Sequence, residues 1–264
     1  MKIQAFNLTF LMNKTYLYDG AFSSLQALIY ILINGKYVVD DIKSEYDYTY
    51  NLLDKPVYLN IIEKEEKVIK LKKLLTLNIL KTIKYIYLSN DNDKEMVIYK
   101  FIKVAITYKN KVYYMRNLDV VNKAYKLSHR VTMEAHKLKG FLRFKQLKND
   151  VFYAEINPTN NIISLLVNHF KERLSNERWV IKDVNRNLFA LYDLNKVIYL
   201  KGDSFTKLNL VLNADENIFE DLWKTFFNTI AIKERENKKC QMNFMPKKYW
   251  NYIIEVSENN EDSN

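Results

Sequence analysis

The chain is poor in glycine and proline, with 4 glycines and 3 prolines among its 264 residues. These two residue types together make up about 12 % of an average protein. Collagen-like, proline-rich and glycine-linker architectures are therefore excluded. A glycine-rich loop for phosphate binding is disfavoured for the same reason, and no Gly-X-Ser-X-Gly, Walker or Cys-X-X-Cys pattern occurs.

Cysteine and long apolar runs are also scarce. The single cysteine, Cys240, cannot form an internal disulfide, a cysteine-based zinc site or a self-contained iron–sulfur cluster, and we predict no cofactor and no metal. The longest apolar run, Ala27–Ile33, is far shorter than the roughly 18–20 residues of a membrane span. Residues 1–12 lack the small-residue cleavage site of a signal peptide. We expect a cytoplasmic protein without a membrane span.

Positive charge is abundant, since 41 lysines and arginines stand against 31 acidic residues and give a net charge of +10. A basic chain favours polyanionic partners, commonly nucleic acid; a solvated basic surface in a lysine-rich chain is the alternative. Only seven of these cations are arginines, so a position that keeps arginine is a candidate for planar, bidentate binding. All arginines and histidines lie between Arg116 and Arg235, where we expect specific recognition.

The first part of the chain is predicted to be mainly helical with one short strand. Alternation at Tyr16–Tyr18, followed by Asp19-Gly20, indicates a strand and a turn. Residues 37–60 read as irregular, apart from an extended piece that begins at Pro56. Apolar residues at helical spacing predict helices over residues 25–32, 63–84, 96–108 and 118–138, the last ended by Gly140.

The second part alternates between strand and helix patterns. We predict β-hairpins at 141–156 and 179–192, strands at 197–200 and 208–212, and helices at 162–170, from Asp215, at 233–245 and at 246–254. The fold class is therefore α+β, with a mainly helical N-terminal part followed by a mixed part with hairpins and C-terminal helices. We divide the chain into residues 1–85, residues 86–254 and an acidic, disordered tail at residues 255–264.

The most basic segment is Lys123–Lys148, which has eight lysines or arginines and one acid, Glu134. On a helix, Arg130 and Glu134 are one turn apart and are predicted to pair. The remaining cations can lie along a phosphate backbone, where each neutralised phosphate releases counterions. Tyr125, Phe141 and Phe144 interleave with these cations, and we expect the two phenylalanines in the core rather than stacked on bases.

Glu134, His136 and His169 are the candidate acid–base residues, and they would have to converge in one cleft to act together. A metal site is disfavoured, because His129 and His136 are separated by about 10 Å along a helix axis and cannot bind one ion. Structural or phosphate-contacting histidines are the alternative.

The run His129–Phe144, HRVTMEAHKLKGFLRF, resembles the signature of a bacterial family described as probable DNA metabolism proteins. That signature has the form V-x-x-E-A-H-(K/R)-x-K-G-F-L-R-F. Further similarity to the family follows in chain order at Tyr153–Pro158, His169–Arg173, Trp179–Arg186, Leu222–Phe227, Ile232–Asn237 and Gln241–Trp250. Tyr18–Leu25 resembles the start of the longer members, so the resemblance spans about residues 16–255.

This resemblance implies a link to DNA repair by association. Family members resemble partners of a radical S-adenosylmethionine (radical SAM) protein related to spore photoproduct lyase, and the second domain also occurs fused to uracil-DNA glycosylase-like domains. No activity is carried over, because this chain has neither the cysteine cluster of the radical enzyme nor a recognisable glycosylase segment. Lys137, Lys247 and Lys248 stand where many members have arginine. The nucleic-acid-binding candidates are Arg130, Lys137, Lys139, Arg143, Arg173, Arg186, Arg235, Lys247 and Lys248.

Three functions remain open from the sequence. The first is a DNA-binding accessory protein in DNA repair or base modification, which acts with a radical SAM or glycosylase-type partner. The second is a nucleic-acid-directed hydrolase or lyase that uses Glu134, His136 and His169, with Arg143 and Arg173 steadying phosphate charge. The third is a protein-interaction scaffold whose basic charge is incidental.

Overall fold

A computed structural model describes residues 13–50, 54–147, 150–202, 222, 225, 229 and 237–254. The fold is α+β, as predicted. The chain forms two compact units, Met1–Val131 and Thr132–Asn264, and the dividing point falls inside a long helix. The domain limits predicted at residues 85 and 86 divide the chain at a different place. The predicted strand at 208–212, most of the helix from Asp215 and the acidic tail lie outside the described residues.

The first unit contains a three-stranded parallel sheet and several helices. Its elements are β1 (Asn13–Tyr18), α1 (Phe22–Asn34), β2 (Asp41–Ser44), β3 (Asp54–Tyr58), α2 (Lys64–Leu74), α3 (Leu77–Tyr87), α4 (Lys94–Tyr108), a 3-10 helix (Lys109–Tyr114) and the start of α5 (Asp119–Phe141). The strands pair in the order β2-β1-β3. Apolar side chains at helical spacing on α1, α3 and α4, such as Leu28, Ile83 and Phe101, form the buried core.

Two features of the first unit differ from the prediction. The single helix predicted over residues 63–84 is two helices, because Leu75 is extended between them. The Thr76 hydroxyl accepts a hydrogen bond from the backbone N–H of Ile79 and so caps the start of α3. Within residues 37–60, the extended piece predicted from Pro56 is part of β3, whereas β2 lies in a stretch predicted as irregular. The pairing of both strands with β1 depends on residues distant in sequence.

The second unit is built on a five-stranded sheet. Its elements are the end of α5, β4 (Lys145–Gln146), β5 (Val151–Ile156), α6 (Ile163–Arg173), β6 (Arg178–Asp183), β7 (Leu188–Tyr192), β8 (Val197–Lys201), α7 (Lys238–Phe244) and a 3-10 helix (Lys247–Tyr252). The strands follow the order β4-β5-β6-β7-β8, and only the β5–β6 pair is parallel. Both predicted hairpins are present, as β4–β5 and β6–β7, but the first strand of the hairpin predicted at 141–156 is only Lys145–Gln146, and Phe141 belongs to α5. The loops after β5 and β6 leave the same edge of the sheet, because these two strands are parallel.

Helix α5 does not end where the sequence predicted. Gly140 is helical rather than left-handed, and the helix continues to Phe141. A Cβ at Gly140 would meet no atom within 4 Å, so this glycine is required neither by backbone conformation nor by close packing. In the part of the chain that the structure describes, no helix has the length and apolar character needed to cross a membrane.

Candidate nucleic-acid interface

The carboxylate of Glu134 is the centre of the polar network in the second unit. Apolar neighbours at helical spacing, Val131 and Leu138, place Glu134 on the buried face of α5. Its Oε1 accepts hydrogen bonds from the backbone N–H of Thr159 (2.8 Å), the Lys248 ammonium (2.8 Å) and the Tyr249 hydroxyl (2.7 Å). Its Oε2 accepts from the backbone N–H and the side-chain amide of Asn160, at 2.8 and 2.6 Å.

These five donors hold Glu134 in its ionised form. Burial raises the pKa of a carboxyl group, but the hydrogen bonds from Lys248, Tyr249, Thr159 and Asn160 outweigh it and lower the pKa of Glu134 to about 2. A carboxylate in this state has no proton to give near neutral pH, and its lone pairs are already engaged. The geometry therefore fits an anchor that joins α5, the loop after β5 and the C-terminal 3-10 helix.

The predicted pairing of Arg130 with Glu134 is wrong. Arg130 is exposed and its Nη2 lies 3.4 Å from Oδ2 of Asp91, whereas Glu134 points inward to Lys248. The two residues are one helical turn apart on α5, as the prediction assumed. They do not pair because Glu134 is on the buried face of the helix and Arg130 is exposed.

A second ion pair also contacts the loop after β5. Asp183, fully buried at the end of β6, accepts a hydrogen bond from Arg186 Nη1 at 3.1 Å. Burial raises the pKa of Asp183, and the nearby charge and hydrogen bonds of Arg186 counteract that effect. The same guanidinium donates to the backbone carbonyls of Pro158 (3.1 Å) and Thr159. Arg186 was predicted to bind nucleic acid, but the structure engages its guanidinium in holding the loop after β5.

The other basic candidates of the second unit differ in their surroundings. Lys137 donates to the neutral backbone carbonyl of Asn243 at 3.4 Å, and Lys139 is half-buried without a carboxylate partner among the described residues. Arg143 donates to the carbonyl of Gly140 at 2.8 Å. Two further candidates are exposed, Arg173 on α6 and Lys247, whose ammonium lies 5.7 Å from the ring centroid of Trp250. Arg235 lies outside the described residues.

The two candidate histidines of the second unit lie in different surroundings. His136 is exposed on α5. His169, on α6, is half-buried, and its Nε2 is buried without a hydrogen-bond partner among the residues that the structure describes. Burial lowers the pKa of His169, and the charges of Lys139 and Arg173 lower it further. Neither histidine is among the five donors that bind Glu134, and the described residues contain no group of three side chains suited to a metal ion.

The two phenylalanines of the basic segment pack against other aromatic rings, whereas Tyr125 of the same segment is exposed. Phe144 contacts Phe170 and Trp179, with ring centroids 5.2 and 6.4 Å apart, and Phe141 lies 6.1 Å from Tyr249. These contacts join the end of α5 and the residues that follow it to α6, the sheet and the C-terminal 3-10 helix. Both phenylalanines are half-buried rather than fully inside the core.

Comparison with known families shows that this network lies within a recognised domain family. A family model described as a domain of unknown function, DUF4130, matches residues 92–255. The chain belongs to the DUF4130 family. The match contains Glu134, Asp183, Arg186 and Lys248, so both loop anchors lie within the DUF4130 domain. No curated protein matches the chain.

One similar solved structure is a pGpG-specific phosphodiesterase, PggH, from Vibrio cholerae. It shares 9 % sequence identity at a TM-score of 0.31, over 84 % of this chain and 100 % of that chain. A likeness at this level supports no inference about the DUF4130 protein.

Sequence reasoning missed the partners that fix Glu134. Thr159 and Asn160 contribute backbone N–H groups, which no residue pattern reveals, and Lys248 lies more than 100 residues away in the chain. One signal was present in the sequence. A single acid within a segment of eight cations indicates that a cation neutralises it. That cation is a lysine that the sequence placed among the nucleic-acid-binding candidates.

Proposed function

We propose that this DUF4130 protein binds DNA through the cationic side chains of its second unit, as an accessory protein in DNA repair or base modification. One observation carries the proposal. Glu134 is the only acid in Lys123–Lys148, and its charge is neutralised internally by Lys248. The neighbouring Lys137 and Lys139 therefore present positive charge without a compensating carboxylate from their own segment.

The chemistry of these side chains suits a phosphate backbone. Lys137, Lys139 and Arg143 follow one another at the end of α5, and Lys139 and Arg173 both act on His169. Contacts of this kind are electrostatic and independent of sequence, and each releases counterions when a phosphate is neutralised. The proposal therefore concerns backbone binding, and it assigns base discrimination and chemistry to a partner.

The partner in this proposal is a radical SAM or glycosylase-type protein in the cytoplasm. Its support is the resemblance carried by His129–Phe144, since the chain offers only one cysteine for redox chemistry of its own. Co-purification of the tagged chain with such a protein, stable to nuclease treatment, is the expected result. A partner that joins only through DNA would be lost on nuclease treatment.

Fluorescence anisotropy with labelled single- and double-stranded DNA tests the binding. Affinity should fall steeply with salt, by roughly three- to fourfold per phosphate contact between about 50 and 200 mM. The double variant Lys139→Ala/Arg173→Ala should bind more weakly and show a shallower salt dependence. Lys72→Ala/Lys73→Ala, which removes two exposed charges from α2, is the matched control and should change neither quantity as much. Absence of salt-dependent binding by the wild type at low salt would overturn the proposal in favour of a protein-interaction scaffold.

A second candidate, a nucleic-acid-directed hydrolase or lyase, is favoured by one observation at His169. Burial and two neighbouring cations lower the pKa of this imidazole, which favours the neutral form that a general base requires. With Glu134 engaged as an anchor, His136 and His169 are the acid–base groups left to it. Cleavage of labelled oligonucleotides by the wild type and its loss in His169→Gln, at unchanged DNA affinity, would support this candidate.

A further inference from the structure

Three planar side chains form an exposed stack in the first unit. The guanidinium carbon of Arg116 lies 3.9 Å from the ring centroid of Tyr125. The ring of His129, one turn further along α5, lies 5.6 Å from the same centroid at an interplanar angle of 9°. Arg116 and His129 are exposed, and Tyr125 is 39 % exposed. Each member of the stack therefore has surface in contact with solvent.

The fold positions the stack at the surface, outside the hydrophobic core. Tyr125 and His129 stand on α5, whose opposite face is fixed by Val121, Ala124 and Leu127, all buried. Because the helix sets the spacing of the two rings, little further ordering is needed when a ligand arrives.

Positive charge lies beside the stack along α5. Lys126, next to Tyr125, is exposed. The neighbouring acids Asp91 and Asp93 are engaged by Lys123 and Arg130, with nitrogen–oxygen distances of 2.8 to 3.6 Å. A ligand with a flat π-system could stack on these side chains, and its negative charge could interact with the nearby cations.

We propose that Arg116, Tyr125 and His129 form a stacking platform for an unpaired base of single-stranded DNA. This inference rests on the proposed DNA binding and names the form of DNA that the first unit recognises. Unpaired bases stack on aromatic rings and on arginine guanidinium planes, and every base offers such a face. Bases inside a duplex stack on one another, so their faces are not available to the platform.

The test compares three ligands of about 12 nucleotides: oligo(dT), an abasic strand of equal length and charge, and a duplex. Fluorescence anisotropy is measured for the wild type, Tyr125→Leu and Arg116→Lys. Arg116→Lys keeps the charge and removes the planar group. Tyr114→Leu is the matched control, since Tyr114 is 89 % exposed and lies outside the stack.

The platform predicts that the wild type binds oligo(dT) more tightly than the abasic strand. Tyr125→Leu should lose roughly 5- to 100-fold in affinity for oligo(dT), with an unchanged salt dependence. Its affinity for the abasic strand and the duplex should stay unchanged, Arg116→Lys should lose affinity in the same selective way, and Tyr114→Leu should match the wild type.

Two results would overturn the platform while leaving DNA binding intact: equal affinity of the wild type for oligo(dT) and the abasic strand, or an equal loss by Tyr125→Leu on all three ligands. Absence of binding to every ligand at low salt would overturn both the platform and the proposed function.

Discussion

Replacement of Glu134 by glutamine tests the anchor at the centre of the DUF4130 domain. In the folded protein the pKa of Glu134 falls from 4.5 to about 2, which corresponds to about 3 kcal/mol of folding stability at neutral pH. Glu134→Gln keeps the size of the side chain but removes its charge and turns an N–H₂ group toward donors. We expect a loss of about 3 kcal/mol at pH 7, the lower end for a broken buried pair, because Lys248 is 42 % exposed and regains solvent.

The pH dependence of this loss follows from the direction of the shift. A carboxyl group whose pKa is lowered by folding stabilises the protein above its unfolded-state pKa, and the contribution disappears as the pH falls through the folded-state value. The difference between wild type and Glu134→Gln should therefore shrink from about 3 kcal/mol at pH 7 to about 1.5 kcal/mol at pH 3.

Urea unfolding followed by tryptophan fluorescence measures this difference in the relevant unit. All three tryptophans, Trp179, Trp223 and Trp250, belong to the second unit. Glu177→Gln, at an exposed position, is the control and should stay within about 0.5 kcal/mol of the wild type. A loss below about 1 kcal/mol for Glu134→Gln, or a loss that does not change between pH 7 and pH 3, would refute the anchor.

Three further substitutions test the surrounding structure by the same unfolding assay, with circular dichroism for the first unit. Arg186→Lys should cost about 2–4 kcal/mol, because an ammonium cannot serve the buried Asp183 and two backbone carbonyls together; a cost below about 1 kcal/mol would contradict this. Gly20→Ala should destabilise by about 1–2 kcal/mol, since Gly20 has a φ of +77° and its Cβ would lie 2.9 Å from the Tyr46 ring. Gly140→Ala, inside α5 with free space around it, should instead stabilise by about 0.5–1 kcal/mol, and a loss there would contradict the helical assignment.

The sequence predicted the elements whose signals are local. The hairpins β4–β5 and β6–β7 were found because apolar and polar residues alternate on both sides of a short polar turn. Helix α4 was found because its apolar residues recur at helical spacing. Periodicity did not place the break at Thr76, since apolar residues continue on both sides of it.

The features that define the candidate site are not local. The parallel pairing of β5 with β6 brings the loop at Pro158 beside Arg186, and no residue pattern within either strand specifies that pairing. Likewise, the sequence identified Glu134 as unusual, but its partner Lys248 is set by packing of the C-terminal 3-10 helix against α5. Side chains that form hydrogen bonds with backbone groups distant in sequence can be recognised only in the folded structure.

Arginine and lysine have different roles in the polar contacts of this protein. The sequence allowed the inference that arginine positions are candidates for planar binding. In this lysine-rich chain, Arg186 donates to a carboxylate and two backbone carbonyls, and the guanidinium carbon of Arg116 lies 3.9 Å from the ring centroid of Tyr125. Both tasks require a planar guanidinium. Lys248 instead reaches Glu134 and the Thr159 hydroxyl, at 2.8 and 2.7 Å, from a compact ammonium group whose donors point in different directions. Arg186 and Arg116 thus use the planar shape of the guanidinium, whereas Lys248 supplies charge, which is why an arginine-to-lysine exchange at Arg116 separates stacking from charge.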